Sequence, residues 1–467
     1  MNTERKMKLY RPIAASTLTL LGALGCHGAG YAAEPETEAA PASIWERDTL
    51  TGDWGGLRTT LQDKGIDITL EYVGESFSVV SGGLEQRNSY EGRVEFSVDG
   101  DLEKAIGWPG ATAHVTVFNI HDGGHNVAEH AGSIADPSNI DGLPATRLFT
   151  AWLEQSLWDD RLSIQAGQLA ADDEFFTSPT AGNLINGTFG WAGLLSANMT
   201  NGGPAYPVAT PGIRLRIQPT EQFSVLAAAF NGDPAGRHCD DDPQKCNRHG
   251  TKFPLDSGTL WMGELQYGVH QSEDATGLPG LYKLGVWYSD NRFADQRYGL
   301  NESGATVPVA DPDLDGPLDH KGNWGLYGVV DQTVWKGDAS SVSVFLRGGF
   351  SPANRNLISY YADGGIGLKG PFASRPDDLL TLGVAYAKIS RDAVAADRDA
   401  ALFDDPYAVR SSEVVYELNY TAQITPWWTL QPDLQYIVRP NGGQDPDDPT
   451  RSLNHAFIVG LRTTITF

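Results

Sequence analysis

The segment from His455 to Phe467 alternates. Phe457, Val459, Leu461, Thr463, Ile465 and Phe467 share one parity, and Ile458, Gly460, Arg462, Thr464 and Thr466 the other. Successive side chains of a strand point to opposite faces, so this pattern predicts a strand with one greasy face. Comparable segments recur along the chain. We read strands near 66–82, 88–102, 111–121, 146–158, 161–169, 212–218, 223–231, 258–269, 281–290, 325–335, 341–350, 358–369, 379–390, 411–424, 428–439 and 455–467. That makes about sixteen, the even count that a bacterial single-chain barrel needs.

The connections alternate in length. Asp159-Asp160, 219–222, 336–340 and 425–427 are tight, whereas 122–145, 170–211, 232–257, 291–324, 391–410 and 440–454 are long. Short periplasmic turns and long outer loops are expected of an outer-membrane barrel. Two compact outer links, near 83–87 and 351–357, blur the rule. A soluble multi-domain β protein has no reason to alternate its loops in this way. The expected fold class is therefore all-β, a transmembrane antiparallel barrel spanning 66–467.

Four cations, Arg5, Lys6, Lys8 and Arg11, precede an apolar run from Ile13 to Gly25 that is too short to span a bilayer as a helix. This predicts a secretory signal peptide over 1–32, cleaved after Ala32. Residues 33–44 are rich in Pro, Ala and Glu and are expected to be disordered. In 45–65, Asp53 is placed to cap a short helix from about Gly55 to Lys64, with Gly65 as its stop. Leu57 and Leu61 share one face, so the helix should pack at the periplasmic end or against the inner wall.

Charge narrows the partners. With 34 Lys+Arg against 59 Asp+Glu the net charge is -25, which argues against nucleic acid and against docking on anionic lipid. The 53 Gly, 12 Trp, 17 Tyr and 17 Phe suit an all-β chain with aromatic belts. Beyond the leader the cysteines are Cys239 and Cys246, within a polar loop, and an oxidising compartment makes a local disulfide the expected pairing. His238, Asp240, Asp241, Asp242 and His249 lie nearby, but their spacing fits no zinc pattern well. Asp311, Asp313 and Asp315-Gly316 match half of a calcium loop whose twelfth position is Gly322, so a solvated acidic loop is the better reading.

Several motifs resemble the carbohydrate-selective porins of the OprB type. They are Leu50-Thr51-Gly52-Asp53-Trp54-Gly55-Gly56-Leu57-Arg58, then Gly167-Gln168-Leu169 with Asp173-Glu174-Phe175, then Thr425-Pro426-Trp427-Trp428 through Asp433-Leu434-Gln435-Tyr436 to Asn441-Gly442-Gly443, Gly460-Leu461-Arg462 and Phe467. The resemblance implies an outer-membrane barrel that passes sugars by passive diffusion, with outer loops folded in as a constriction and no cofactor.

In such a barrel the apolar parity meets lipid and the polar parity meets the water-filled lumen. The polar parity supplies Glu91, Arg93, Glu95, Trp152, Glu154, Arg214, Arg216 and Arg347 as candidates for a substrate constriction. Interleaved Arg and Glu suit neutral solutes better than a ring of one sign would. Sugar hydroxyls both donate and accept, and Trp152 offers a face for a pyranose. Loop 170–211, which carries Asn183, Asn186, Trp191, Asn198 and Asn201, is expected to fold inward towards Arg93, Glu95 and the Arg214/Arg216 pair.

The expected partners are small neutral sugars of the glucose type, together with outer-membrane lipid and lipopolysaccharide. A monomer is favoured and a trimer stays open. The alternatives are a general diffusion pore, or a barrel acting as receptor or enzyme. Glu91, Glu95 and Glu154 would be the carboxylates for glycoside cleavage, but a wet lumen offers little burial to tune them.

Overall fold

A computed structural model describes residues 43–272, 275–403 and 406–467. The predicted signal peptide, and the predicted disordered segment up to residue 42, lie outside the described residues.

Seventeen strands form one antiparallel sheet: β1 (Ile66–Ser81), β2 (Asn88–Asp101), β3 (Ala111–Asp122), β4 (Ala145–Leu157), β5 (Leu162–Leu169), β6 (Thr210–Ile217), β7 (Phe223–Asn231), β8 (Thr259–Val269), β9 (Gly280–Asn301), β10 (Thr306–Pro308), β11 (Leu314–Lys336), β12 (Ser341–Phe350), β13 (Ile358–Lys369), β14 (Leu379–Ile389), β15 (Ser412–Thr425), β16 (Trp428–Val438) and β17 (Ala456–Thr466). Three-residue β10 pairs with β9 inside an outer hairpin, which leaves sixteen strands in the wall. β17 returns to pair with β1, Glu71 opposite Thr466 and Phe77 opposite Gly460, and this seam closes the barrel. Closure leaves no open edge, the condition for crossing a bilayer with strands. Among the described residues no helix is long and apolar enough to cross a membrane.

The alternation does what it predicted on the outside. Leu153, Ile213, Trp261, Leu284, Leu346, Leu382, Leu434 and Leu461 are exposed on the lipid face. One expectation needs correcting: the connection read over 291–324 is shorter, because the flanking strands extend into it. β9 and β11 run on past the wall as a ribbon, pairing Arg292 with Lys321 and Leu300 with Gly316.

The N-terminal segment fastens the seam. Asp53 Oδ1 accepts from both the backbone N–H and the hydroxyl of Thr59, at 2.9 Å each, and the helix Leu57–Asp63 ends before Gly65, whose φ is +80°. Leu50 N–H donates to Thr466 O, and Arg58 Nη2 donates to Phe467 O at 2.6 Å. The helix lies at the periplasmic end, but Leu57 does not pack as expected: it is 53 % exposed.

Candidate functional site

Loop 170–209 leaves β5 at Leu169 and rejoins β6 at Thr210, and these two residues are paired across the sheet. Between those fixed ends it folds into the barrel. Phe175, Phe176, Leu184, Ile185, Phe189, Leu194 and Leu195 are fully buried, packed with Leu226, Phe230, Leu260, Trp287, Tyr327 and Phe345 from the wall. The lumen parity there mixes apolar side chains with buried charged ones, which contradicts the expectation that one parity is polar throughout. A loop that fills the lumen gives greasy side chains a dry place to go.

Wall carboxylates hold the loop by its backbone. Glu264 accepts from Phe176 N–H at 2.9 Å, Asp331 from Thr180 N–H at 2.8 Å, and Glu417 from Ile185 and Asn186 N–H at 2.5 and 2.9 Å. Glu413 does the same for loop 123–144, accepting from Ile134 and Ala135 N–H at 2.8 Å each. Gly383 and Gly349 let the loop sit close, since a Cβ would collide with Leu184 and Phe189 at the first and with Leu194 at the second.

Two predicted constriction residues belong to this packing and not to the water path. Arg347 is buried against Asp363. Its guanidinium lies 4.8 Å from the Phe176 ring and donates to the Phe176, Gly190 and Thr188 carbonyls at 3.0 to 3.2 Å. It braces the loop and reaches no solute. Glu91 is buried too, accepting from Val127 N–H at 2.7 Å, and so anchors the short helix Val127–Ala131. Both sit on the lumen parity, but beneath folded-in loops.

The other six come together along the arc from β1 to β6. Arg93 Nη2 lies 2.9 Å from Glu95 Oε2 and 3.8 Å from Glu71 Oε1. The Arg93 guanidinium also rests over Phe118 at 4.8 Å and over Tyr206 of the inward loop at 5.6 Å. Arg214 donates to Glu174 of that loop at 2.7 Å, to Glu154 at 3.3 Å and to Ser163 Oγ at 2.7 Å, while Arg216 stands 3.6 Å from Glu174. Trp152 stacks on His114 with ring centres 4.9 Å apart and planes 18° apart. The loop thus meets Arg93 through Tyr206 and the Arg214/Arg216 pair through Glu174.

Most of these groups keep a foot in water, although Arg214 is itself buried. Arg93 and Glu95 are 16 and 26 % exposed, in contrast to 0 % for Arg347 and Asp363. Asp173, exposed, adds a carboxylate to the loop beside Glu174. Behind it Asp172 accepts from Tyr206 N–H at 2.9 Å, and burial pushes its carboxyl up to about 6. In the second loop Asp141 accepts from Asn126 Nδ2 at 2.8 Å, and burial pushes it up to about 6 as well.

Sequence reasoning missed Glu71, Phe118, Phe149, Arg147, Glu174 and Tyr206. The β4 residues were hidden by a bulge. Thr116 pairs with Thr150 but Val117 pairs with Leu148, so parity shifts and both Arg147 and Phe149 turn inward above Trp152. Glu174 sat in a quoted motif without a role.

Cys239 and Cys246 are disulfide-bonded in the outer loop. Among the described residues no group of three or more His, Cys, Asp or Glu is placed to hold a metal ion.

A closed sixteen-stranded barrel, plugged on one side by its own loop and lined on the other by opposite charges open to water, is an outer-membrane diffusion channel. The chain belongs to the family described as Carbohydrate-selective porin, OprB family, whose profile matches residues 85–467, a family of channels and not of enzymes. Porin B of Pseudomonas aeruginosa is 29% identical over 99% of this chain and 100% of the relative. The high-pH structure of Pseudomonas putida OprB matches with a TM-score of 0.79 at 25% identity, covering 91% of this chain and 100% of that one. The low-pH structure of that protein matches with a TM-score of 0.55 at 20% identity, covering 90% and 99%, and bears on the fold alone. Membership places the chain in the outer membrane of a Gram-negative bacterium.

Proposed function

We propose that this channel passes small neutral sugars of the glucose type down their gradient, and that Arg93, Glu95, Trp152, Glu154, Arg214 and Arg216 form its selective constriction. One observation carries this reading. On the arc from β1 to β6 the guanidinium and carboxylate groups are paired, and all but the buried Arg214 are still partly exposed, in a lumen whose opposite side is packed dry.

Such pairs present donors and acceptors a few ångströms apart, a match for vicinal hydroxyls that must shed water to pass. Because each charge is already neutralised by a neighbour, the pore has no strong preference for ions of one sign. Binding must stay weak enough for release, which the residual exposure favours. All these groups come from one chain, so a monomer is a complete conducting unit.

The test is single-channel conductance of refolded protein in a planar bilayer, titrated with glucose and with a neutral non-sugar solute of equal size. Saturable block by glucose alone is the expected result. Equal, unsaturable effects of both solutes would mean a general diffusion pore.

A further inference from the structure

The inner face of β14, β15 and β16 carries a row of oxygens that no protein donor reaches. Thr381 pairs with Asn419, and Asn419 pairs in turn with Asp433. Thr381 Oγ1, Asn419 Oδ1 and Asp433 Oδ1 are all buried without a hydrogen-bond partner, and the three residues are 0, 1 and 1 % exposed. Directly paired residues on one face stand about 5 Å apart at Cβ, so three in a row can turn towards one point.

Neighbours fix which end of the amide is free. Asn419 Nδ2 donates to Glu417 Oε1 at 2.9 Å and to Asn183 O at 3.1 Å, so a reversed amide would set oxygen against two oxygens. Asp433 spends its other oxygen on Gln435, whose Nε2 donates to Oδ2 at 2.9 Å. The Glu417 carboxylate lies beside that of Asp433. Arg462, the cation acting on Asp433, is committed to Glu75 and Asn139. Among the described residues, then, two acids share a buried place with no cation bonded to either. Charge left in that state is costly. A proton held between the two carboxylates would relieve the charge, yet it would leave the Thr381 and Asn419 oxygens idle. A metal cation answers both needs at once.

We infer that Thr381, Asn419, Asp433 and Glu417 form a calcium site in the barrel wall. The set joins two acids to two neutral donors, unlike a cluster built of His, Cys, Asp and Glu alone. Oxygen donors without nitrogen or sulfur select hard cations. Two carboxylates balance a divalent ion, whereas sodium would leave one charge over. Magnesium holds on to several waters, for which a place beneath a packed loop has little room, while calcium accepts irregular oxygen sets. Carboxylates binding through both oxygens bring the four side chains up to the about six ligands that calcium takes.

The site also has a purpose in the fold. Glu417 accepts from Ile185 and Asn186 N–H, Asn419 and Gln431 both donate to Asn183 O, and Gln435 Oε1 accepts from Asn186 Nδ2. Calcium held here ties the tip of loop 170–209 to the wall, so its binding energy becomes loop stability.

The experiment takes refolded protein stripped with a chelator and titrates it with calcium chloride. Equilibrium dialysis with the radioactive ion reads binding, and the urea midpoint reads stability. We expect one calcium per chain beyond what Asp433→Asn retains, and a midpoint that climbs with the logarithm of calcium concentration. Asp433→Asn keeps the shape and removes a charged ligand. It should weaken this binding by about tenfold or more, since affinity follows ligand charge, and flatten the response of the midpoint. Thr381→Val removes a single oxygen and should weaken binding by about threefold, the worth of one neutral contact. Exposed acids such as Asp313 bind calcium alike in every variant and drop out of the difference.

Equal binding by the wild type and both variants overturns the site, as does a wild-type midpoint that ignores calcium. Should Asp433→Asn fail to refold, Thr381→Val decides by the same two readings. A wild type that takes up no calcium at millimolar concentration assigns these oxygens to water or a shared proton, and the inference falls.

Discussion

The lumen contains two kinds of arginine. Arg347 and Arg93 both sit on inward-facing positions, both pair with a carboxylate and both lie over an aromatic ring. Arg347 is sealed beneath the folded-in loop, whereas Arg93 is not. A fully buried pair has lost its water and holds structure, because leaving one charge alone there is costly. A partly wet pair keeps some capacity to exchange its partners for a solute. Composition cannot separate the two, and the cover above them does.

Breaking the sealed member should give the largest effect. Arg347→Ala leaves Asp363 buried and unpaired, and three loop carbonyls lose their donor. We expect about 3–5 kcal/mol of lost stability in urea unfolding, together with a wider, noisier single-channel conductance as the loop loosens. Next comes the wet member. Arg93→Ala should weaken glucose block by about tenfold or more, the range of a hydrogen bond to a charged group, while the urea midpoint moves little. Equal losses of stability in the two variants would erase the distinction.

A smaller effect tests the second loop, which Glu91 and Glu413 hold to the wall. Burial raises Asp141, so the folded state prefers it protonated. The stability this gives is full below the unfolded carboxylate range, near 4, and is lost as pH rises to about 6. Asp141→Asn keeps an acceptor for Asn126 and removes the charge. It should raise stability above pH 6 by on the order of 1 kcal/mol and flatten the pH dependence between 4 and 6, read as resistance of loop 123–144 to limited proteolysis. Smallest of all, Arg58→Ala removes one partly buried hydrogen bond to Phe467, outside both halves of the comparison. It should cost about 1 kcal/mol in urea unfolding and leave conductance unchanged.

The wall was legible because a lipid-facing strand must be apolar on every second residue, and that constraint is local. Strand number, loop alternation and the outward set from Trp261 to Leu461 followed from it. What the inward set meets is not local. Phe77, Leu226, Trp287 and Tyr327 show the same alternation whether they face water or a packed loop, and only the fold of 170–209 decides. Arg93, Glu95 and the Arg214/Arg216 pair could be named from parity and placed near the long loop. Arg347 and Glu91 could not be told apart from them. A bulge in β4 hid Arg147 and Phe149, since one extra residue reverses every parity beyond it. Strong alternation was also silent about how far β9 and β11 run past the bilayer.

The loop that fills the barrel begins and ends on neighbouring strands that pair with each other at Leu169 and Thr210. Its length is therefore free of the register of the wall. Residues can be added to or taken from the parts of this insert that do not pack on the wall without moving a single strand, so what the channel admits can change while its seat in the membrane does not.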